Sequence, residues 1–299
     1  MTHFPLAALA ALIATPVLAE MQVEIPFAAE MAGQPFTCAA SFAGVGTTQS
    51  TVQFGDFRLF VSNVRLIGAE GAEVPVTLAQ DGIWQLAGTA LIDFEDATGA
   101  CANGTAETNT TLRGTAPEGS YTGLAFDIGV PFAQNHGDPT LAASPLNLTA
   151  MFWTWAAGYK FIKIDLATSG QPLPAPMKAA MDGAADHSAT MKDGPKGWAL
   201  HLGSTGCASD SKTTAPAADC ANPNRVAVRL DGFVPGTGHV LIDPAPVLAG
   251  ANVDVNAPET AAGCMSFPKD GDCPPVMSAL GLGYDGTPAV GVQQMFSLR

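Results

Sequence analysis

Glycine and proline punctuate this chain so often, 32 and 23 of 299 residues, that strongly helical windows are scarce and the segments between them are short. Those segments are rich in Val, Ile, Phe and Thr, and apolar β-branched runs bounded by turn residues read as strands. The best strand windows are 23–27, 54–67, 74–78, 82–92, 104–112, 121–130, 150–165, 197–202, 225–233 and 239–243. Their number and spacing predict an all-β protein, an elaborated antiparallel β-sandwich. Two windows rich in Ala, Met and Leu with Pro near the start, 176–182 and 275–280, predict short helices. Residues 134–147 and 207–224 lack periodicity and are expected to be long surface loops, a length at which loops tend to be functional.

The first nineteen residues carry no charged side chain and end with Val17 and Ala19 at the small-residue positions of a signal-peptidase site. Residues 1–19 are therefore expected to be a cleaved export signal, with 20–299 a single domain in the periplasm. No later run approaches the ~18 apolar residues needed to span a bilayer. Six cysteines remain, Cys38, Cys101, Cys207, Cys220, Cys264 and Cys273, with no CxxC and no zinc-like spacing to histidine. An even number in an exported chain implies disulfides. Six cysteines allow about 15 pairings, and proximity favours Cys207 with Cys220 and Cys264 with Cys273, leaving Cys38 for Cys101. The bridges would pin the loops.

The net charge of −14 makes nucleic acid a poor partner, because phosphate binding needs a basic face. Sequence signatures of hydrolases, zinc proteases and nucleotide-binding loops are absent: Gly203-Ser-Thr-Gly206 is not a GxSxG elbow, and there is no HExxH, GxGxxG or Walker pattern. Asp93, Glu95 and Asp96 cluster without the spacing of a calcium loop and read as a solvated turn.

Aromatic residues make up only 7% of the chain, yet 144–161, SPLNLTAMFWTWAAGYKF, holds Trp153, Trp155 and Tyr159. In an extended strand Met151, Trp153 and Trp155 would share one face, with Phe152 and Thr154 on the other. Four histidines follow the signal: His136, His187, His201 and His239. His136 lies in a turn-forming stretch leading to the tryptophan segment, and His201 ends a strand ahead of Cys207. Two imidazoles with one further donor suit copper. His187 reads as exposed loop and His239 as structural.

Seven ordered motifs carry a resemblance over nearly all of residues 20–299. They are Phe60-Val-Ser-Asn-Val-Arg-Leu66, Leu91 to Asp96 through Gly99 to Gly104, Gly129-Val-Pro-Phe132 through Asn135-His136, Ser144-Pro-Leu-Asn147, Met151 to Trp155 through Gly158 to Phe161, His201 to Cys207, and Cys220 to Arg225. On these the chain resembles the MbnP-like proteins, the four-Cys-motif partners of the metallo-mystery pair system. The resemblance implies a periplasmic, non-catalytic protein that binds one copper ion and acts in copper homeostasis. It also implies a dihaem partner enzyme related to the MauG peroxidases, which oxidises a tryptophan to kynurenine. Intact indole nitrogen is a poor σ donor, since its lone pair belongs to the ring, whereas ring opening leaves an aniline-type amine that can coordinate. Carried onto this chain, the modified residue is Trp153 or Trp155, the imidazole ligands are His136 and His201, and Met151 is a further thioether candidate. Trp84, in Asp81-Gly-Ile-Trp-Gln85, is the rival for modification. The alternative from another class is a noncatalytic carbohydrate- or protein-binding module with an exposed tryptophan platform; a third is a metal-dependent hydrolase or oxidase using the same histidines.

Overall fold

The computed structural model describes residues 19–102, 104–170 and 197–299. The expected signal segment up to residue 18, the expected helix at 176–182 and His187 lie outside the described residues. Strands β1 (Glu20–Met31), β2 (Gln34–Pro35) and β3 (Phe42–Val45) precede the long β4 (Ser50–Gly68). β5 (Glu73–Pro75), β6 (Thr77–Leu78), β7 (Gln85–Leu86), β8 (Thr89–Asp93), β9 (Thr111–Pro117) and β10 (Tyr121–Ile128) follow. Helix α1 (Phe132–Asn135) leads to β11 (Phe152–Thr154), β12 (Gly158–Thr168) and β13 (Trp198–Gly203). The remainder is β14 (Val226–Asp231), β15 (Val240–Ile242), α2 (Ala245–Leu248), β16 (Gly263–Cys264), α3 (Cys273–Ala279) and β17 (Phe296–Leu298).

These strands form two sheets. The smaller runs β17-β15-β1-β9-β6, with β2 on β1; the larger runs β14-β10-β4-β12-β13-β16 and gathers the remaining short strands around β4. The protein is all-β and mostly antiparallel as expected, but β1–β15 and β13–β16 pair in parallel, so both sheets are mixed. Phe27 of β1, Phe126 of β10 and Phe296 of β17 meet edge to face at 5.7–5.9 Å, joining the sheets in one apolar core. Each such ring contributes about 1.5–3 kcal/mol by leaving water.

Exposure follows position in the sheet. Edge strand β14 alternates, with Val226, Val228 and Leu230 buried and Ala227, Arg229 and Asp231 exposed. Central β4 is buried at every residue from Asp56 to Ser62 because both of its faces are covered. That covering encloses a charged face as well as an apolar one.

Several boundaries differ from the sequence expectation. Residues 74–78 are not one strand: β5 pairs with β4 in the large sheet and β6 with β9 in the small one. The strand expected at 104–112 lies at Thr111–Pro117, where its backbone pairs with β1 along seven residues. The tryptophan strand is not continuous over 150–165. It stops at Thr154, turns, and resumes at Gly158, which takes φ +81°. Consequently Met151, Trp153 and Trp155 do not share a face: Met151 is fully buried in the core, Trp153 is half-buried in β11, and Trp155 is 38% exposed in the turn. The acidic cluster is not a solvated turn either, since Asp93 and Glu95 are each 1% exposed.

The three disulfides join Cys38–Cys101, Cys207–Cys220 and Cys264–Cys273. The helix expected at 275–280 is present as α3, begun two residues earlier at Cys273. No helix among the described residues is long and apolar enough to cross a membrane.

Candidate metal centre

His201 stands on β13, with backbone opposite Lys163 of β12, whose other neighbour is Arg58 of β4. Side chains two apart on a strand share a face, so this register assembles a row of charges across the sheet. His201 Nε2 lies 2.6 Å from Asp165 Oδ1, Lys163 Nζ reaches Asp165 Oδ2 at 2.6 Å and also bonds Asp56, and Arg58 bridges Asp56 to Glu95 at 3.0 Å. Lys163 binds Asp56 and Asp165 while Arg58 binds Asp56 and Glu95, so the two cations share one carboxylate and each holds one more, which compensates burial of the row.

A carboxylate only accepts, so Nε2 of His201 carries the proton and Nδ1 the lone pair. Nδ1 is buried and has no hydrogen-bond partner. Burial also lowers the His201 pKa against the raising effect of Asp165, keeping the ring neutral near pH 7. An imidazole anchored through one nitrogen by a carboxylate, with the other lone pair free, is the arrangement that metal-binding histidines adopt.

His136 caps the C-terminus of α1 and is 6% exposed. Its Nδ1 donates to the Trp155 carbonyl oxygen at 2.9 Å, which leaves the lone pair on Nε2. Burial lowers its pKa as well. Nε2 faces Asn135 Nδ2 at 3.2 Å and Cys220 Sγ at 3.7 Å. Phe132, one helical turn back, packs on the ring at 5.1 Å.

Asn135 ties the two halves of this region. Its Oδ1 accepts the Tyr159 amide at 2.8 Å, and its Nδ2 also donates to Ser204 Oγ at 3.2 Å, three residues beyond His201. This docking requires glycine at 158, because a Cβ there would lie 2.5 Å from the Asn135 side chain. Asn135 thus holds the end of α1, where His136 stands, against the residue that follows β13, and no hydrogen bond or ring contact among the described residues joins His136 to His201 directly.

Trp153 reaches the same place. Its ring edge lies over Gly203, where a Cβ would come within 2.4 Å of the indole Cζ3, and its other side packs on Phe267 at 5.3 Å. Gly203 and His201 share a face of β13 with Cα atoms about 7 Å apart at strand rise, so the indole lies over the face of the strand from which the His201 side chain projects. Ser266 reinforces this by accepting the Gly203 amide and donating to the His201 carbonyl.

Trp155 contributes its backbone oxygen to His136 while its side chain faces outward, and Met151 is enclosed by the core. Trp84 is partly buried in the β7 turn, where Asp81 caps the amides of residues 83–85. His239 makes a backbone pair with Arg299. Asn135, Asp165, Lys163, Asp56 and Arg58 join the site without a ligand motif of their own in the sequence. Alternation of charge within an otherwise apolar strand, Lys160-Phe-Ile-Lys163-Ile-Asp165, was the available signal for two of them.

Comparison with known proteins agrees with this fold. The family model described as MbnP matches residues 20–266. The solved structure of MbnP from Methylosinus trichosporium superposes with a TM-score of 0.76 at 31% identity, covering 94% of this chain and 99% of that one. No curated protein gives a significant match. A family match over most of the chain, with a solved relative of nearly the same extent, leads to one conclusion: this chain belongs to the MbnP family.

Proposed function

We propose that this protein is a periplasmic copper-binding protein of copper handling, holding one copper ion through His201 Nδ1, His136 Nε2 and the amine of an oxidised Trp153. The observation that carries the reading is the buried, partnerless Nδ1 of His201 on the strand face that the Trp153 indole covers. Imidazole nitrogens with an aryl amine form a donor set of the softness copper accepts. Trp153 is preferred over Trp155, whose side chain is directed to solvent, and over Trp84, which belongs to the β7 turn.

In this reading the protein is the substrate of an oxidase and not itself an enzyme. A dihaem partner related to the MauG peroxidases, with peroxide as oxidant, opens the indole between its two pyrrole carbons. Water then releases the formyl carbon as formate, and the side chain keeps a ketone and an aryl amine. Asp165 and the Trp155 carbonyl orient the two imidazoles, and Asn135 fixes the end of α1 against β13. A sugar-stacking platform would need solvent-facing indoles; Trp153 is instead packed between Gly203 and Phe267.

Coexpression with the dihaem partner tests the reading by intact mass and peptide mapping. The expected product has lost one carbon and gained one oxygen at Trp153 and binds one copper, while His201→Ala, equally modified, binds none. Unmodified mass after coexpression, or full copper occupancy in His201→Ala, would overturn it.

A further inference from the structure

The Cys207–Cys220 bridge sits against the one nitrogen of His136 that can ligate. The Sγ atoms of both cysteines and a ring nitrogen of His136 lie within 4.8 Å of one another, the only such grouping of three among the described residues. Cys220 Sγ is 3.7 Å from Nε2. A tetrahedral ion with metal–sulfur bonds near 2.3 Å and metal–nitrogen bonds near 2.05 Å separates these ligands by about 3.6 Å. The imidazole and Cys220 are therefore already spaced as ligands of one ion. The Nδ1–H bond to the Trp155 carbonyl holds the ring with Nε2 toward the sulfurs.

The three bridges differ in access. Cys38, Cys101, Cys264 and Cys273 are no more than 1% exposed, whereas Cys207 is only partly buried, at the mouth of a loop whose residues 210–215 are exposed. A thiol reagent reaches a disulfide only where a sulfur is open to attack. Cys207–Cys220 is thus the bridge a dithiol can open while the others persist. The loop is also held independently of its disulfide: Thr205 and Asn222 exchange backbone hydrogen bonds at 2.9 and 3.0 Å, the Ala221 amide bonds the Gly206 carbonyl, and the Ala156 amide bonds the Lys212 carbonyl. Asn222 Nδ2 adds a bond to Thr205 Oγ1. Opening the bridge leaves Cys220 anchored beside His136.

We propose that Cys207, Cys220 and His136 form a redox-gated site for a soft or borderline cation such as Zn(II) or Cu(I), closed when the disulfide is intact, opened by a dithiol reductant, and exclusive of the copper site because both draw on His136 Nε2. In the exchange, one thiolate of the dithiol attacks Cys207 Sγ, the Cys207–Cys220 bond breaks and Cys220 leaves as a thiolate. The second thiol of the reductant then displaces Cys207, carrying away two electrons' worth of oxidation as its own disulfide. Both cysteines ligate as thiolates, releasing their protons, and the sulfurs part to about 3.8 Å, the tetrahedral separation for two such bonds. Cys207 is the residue that moves, since it lies on the exposed arm. Asn135 Nδ2 gives up its contact with Nε2 and keeps its bond to Ser204 Oγ. The fourth position stays open to solvent or to an acceptor of the metal. This inference needs no modified tryptophan and no copper at His201.

The test uses full-length protein made without the dihaem partner, so that every tryptophan is intact. It is treated anaerobically with dithiothreitol, desalted and titrated with Co(II) as the probe. The expected result is one equivalent bound, with thiolate-to-cobalt charge-transfer absorption and the d–d bands of tetrahedral geometry. Alkylation and mass mapping should show only Cys207 and Cys220 reduced, and the far-ultraviolet circular dichroism should stay native. Oxidised protein should show none of this absorption, Cys220→Ser should lose it, and His136→Ala should lose the tetrahedral spectrum while keeping two free thiols. Unfolding on reduction, opening of all three bridges together, or an unchanged cobalt spectrum in His136→Ala would each overturn the proposal.

Discussion

Replacing Asp165 with Asn keeps the side-chain shape and removes the charge on which His201 and Lys163 both depend. Asp165 accepts from His201 Nε2 and from Lys163 Nζ, each at 2.6 Å, with its side chain 29% exposed. Hydrogen bonds involving charged groups contribute about 1.5–3 kcal/mol each, so two such bonds set an upper range of about 3–6 kcal/mol. Asp56 still holds Lys163 in the variant, and the amide oxygen still accepts one bond, which reduces the expected loss to about 2–4 kcal/mol. Urea unfolding at pH 7 should show this as a lower midpoint with an unchanged slope. The pH dependence is fixed in sign. Lys163 first, then His201, hold the Asp165 carboxyl well below the ordinary value of 3.8, outweighing its burial. A depressed carboxylate stabilises the fold above its unfolded pKa and loses that contribution as the pH falls toward the folded one. The gap between wild type and Asp165→Asn should be full at pH 7 and should narrow below about pH 4. Nitrogen-15 NMR of the metal-free variant should also show His201 losing its single Nε2–H tautomer, and outer-sphere loss of this kind weakens metal affinity by about 10–100-fold. A stability change under about 0.5 kcal/mol at pH 7, or a gap that is as wide in acid as at neutrality, would refute the reasoning.

Three further perturbations have defined outcomes. Lys160 is 5% exposed, and burial first, with Lys163 next, lowers its pKa from 10.5 to about 8. Carrying its charge at pH 7 therefore costs about 3 kcal/mol at 1.36 kcal/mol per pKa unit, and Lys160→Met, which gives up the bond to the Ala150 carbonyl, should gain about 2 kcal/mol in denaturant unfolding. The gain should fade as the pH rises from about 8 to 10.5; net destabilisation at pH 7 would contradict this reading. Asp93 is pushed up to about 7, by burial first, so its ionisation opposes folding as the pH climbs from 3.8 to about 7. Asp93→Asn should therefore gain about 2–3 kcal/mol on wild type between pH 5 and pH 8, and a pH-independent difference would exclude the effect. Gly203→Ala would place a methyl group 2.4 Å from the Trp153 ring and 2.8 Å from the Tyr159 carbonyl. It should destabilise by about 1–3 kcal/mol and raise iodide quenching of tryptophan fluorescence; unchanged quenching would remove the indole from that position.

Local sequence carries the fold as far as local rules reach. Strand β10 and strand β14 are legible because apolar residues and turn residues bound them, and α3 is legible because Pro274 and Pro275 precede Val276 and Met277. Strand β9, Thr-Leu-Arg-Gly-Thr-Ala-Pro, is missed because its extended form comes from pairing with β1 on one side and β6 on the other. The break at Trp155 is missed because Gly158 is forced to a positive φ by the need to admit Asn135, a contact between residues 23 positions apart in sequence. The cysteine pairing is legible from proximity, since short loops close at the least entropic cost.

The candidate site divides along the same line. Residue types alone single out His136, His201 and the tryptophan segment, because imidazoles and indoles are few in this chain and chemically distinctive. Which nitrogen of each ring is free, which indole lies over the strand face of His201, and which cysteine stands against His136 depend on strand register and on the fold of the 207–220 loop. Asp56, Arg58, Lys163 and Asp165 look like surface charges when read one residue at a time. They become a mutually neutralised row, buried at Asp56 and Arg58 and half-buried at Lys163 and Asp165, only because β4 and β12 lie side by side at the centre of a sheet, and that placement belongs to the assembled chain rather than to any segment of it.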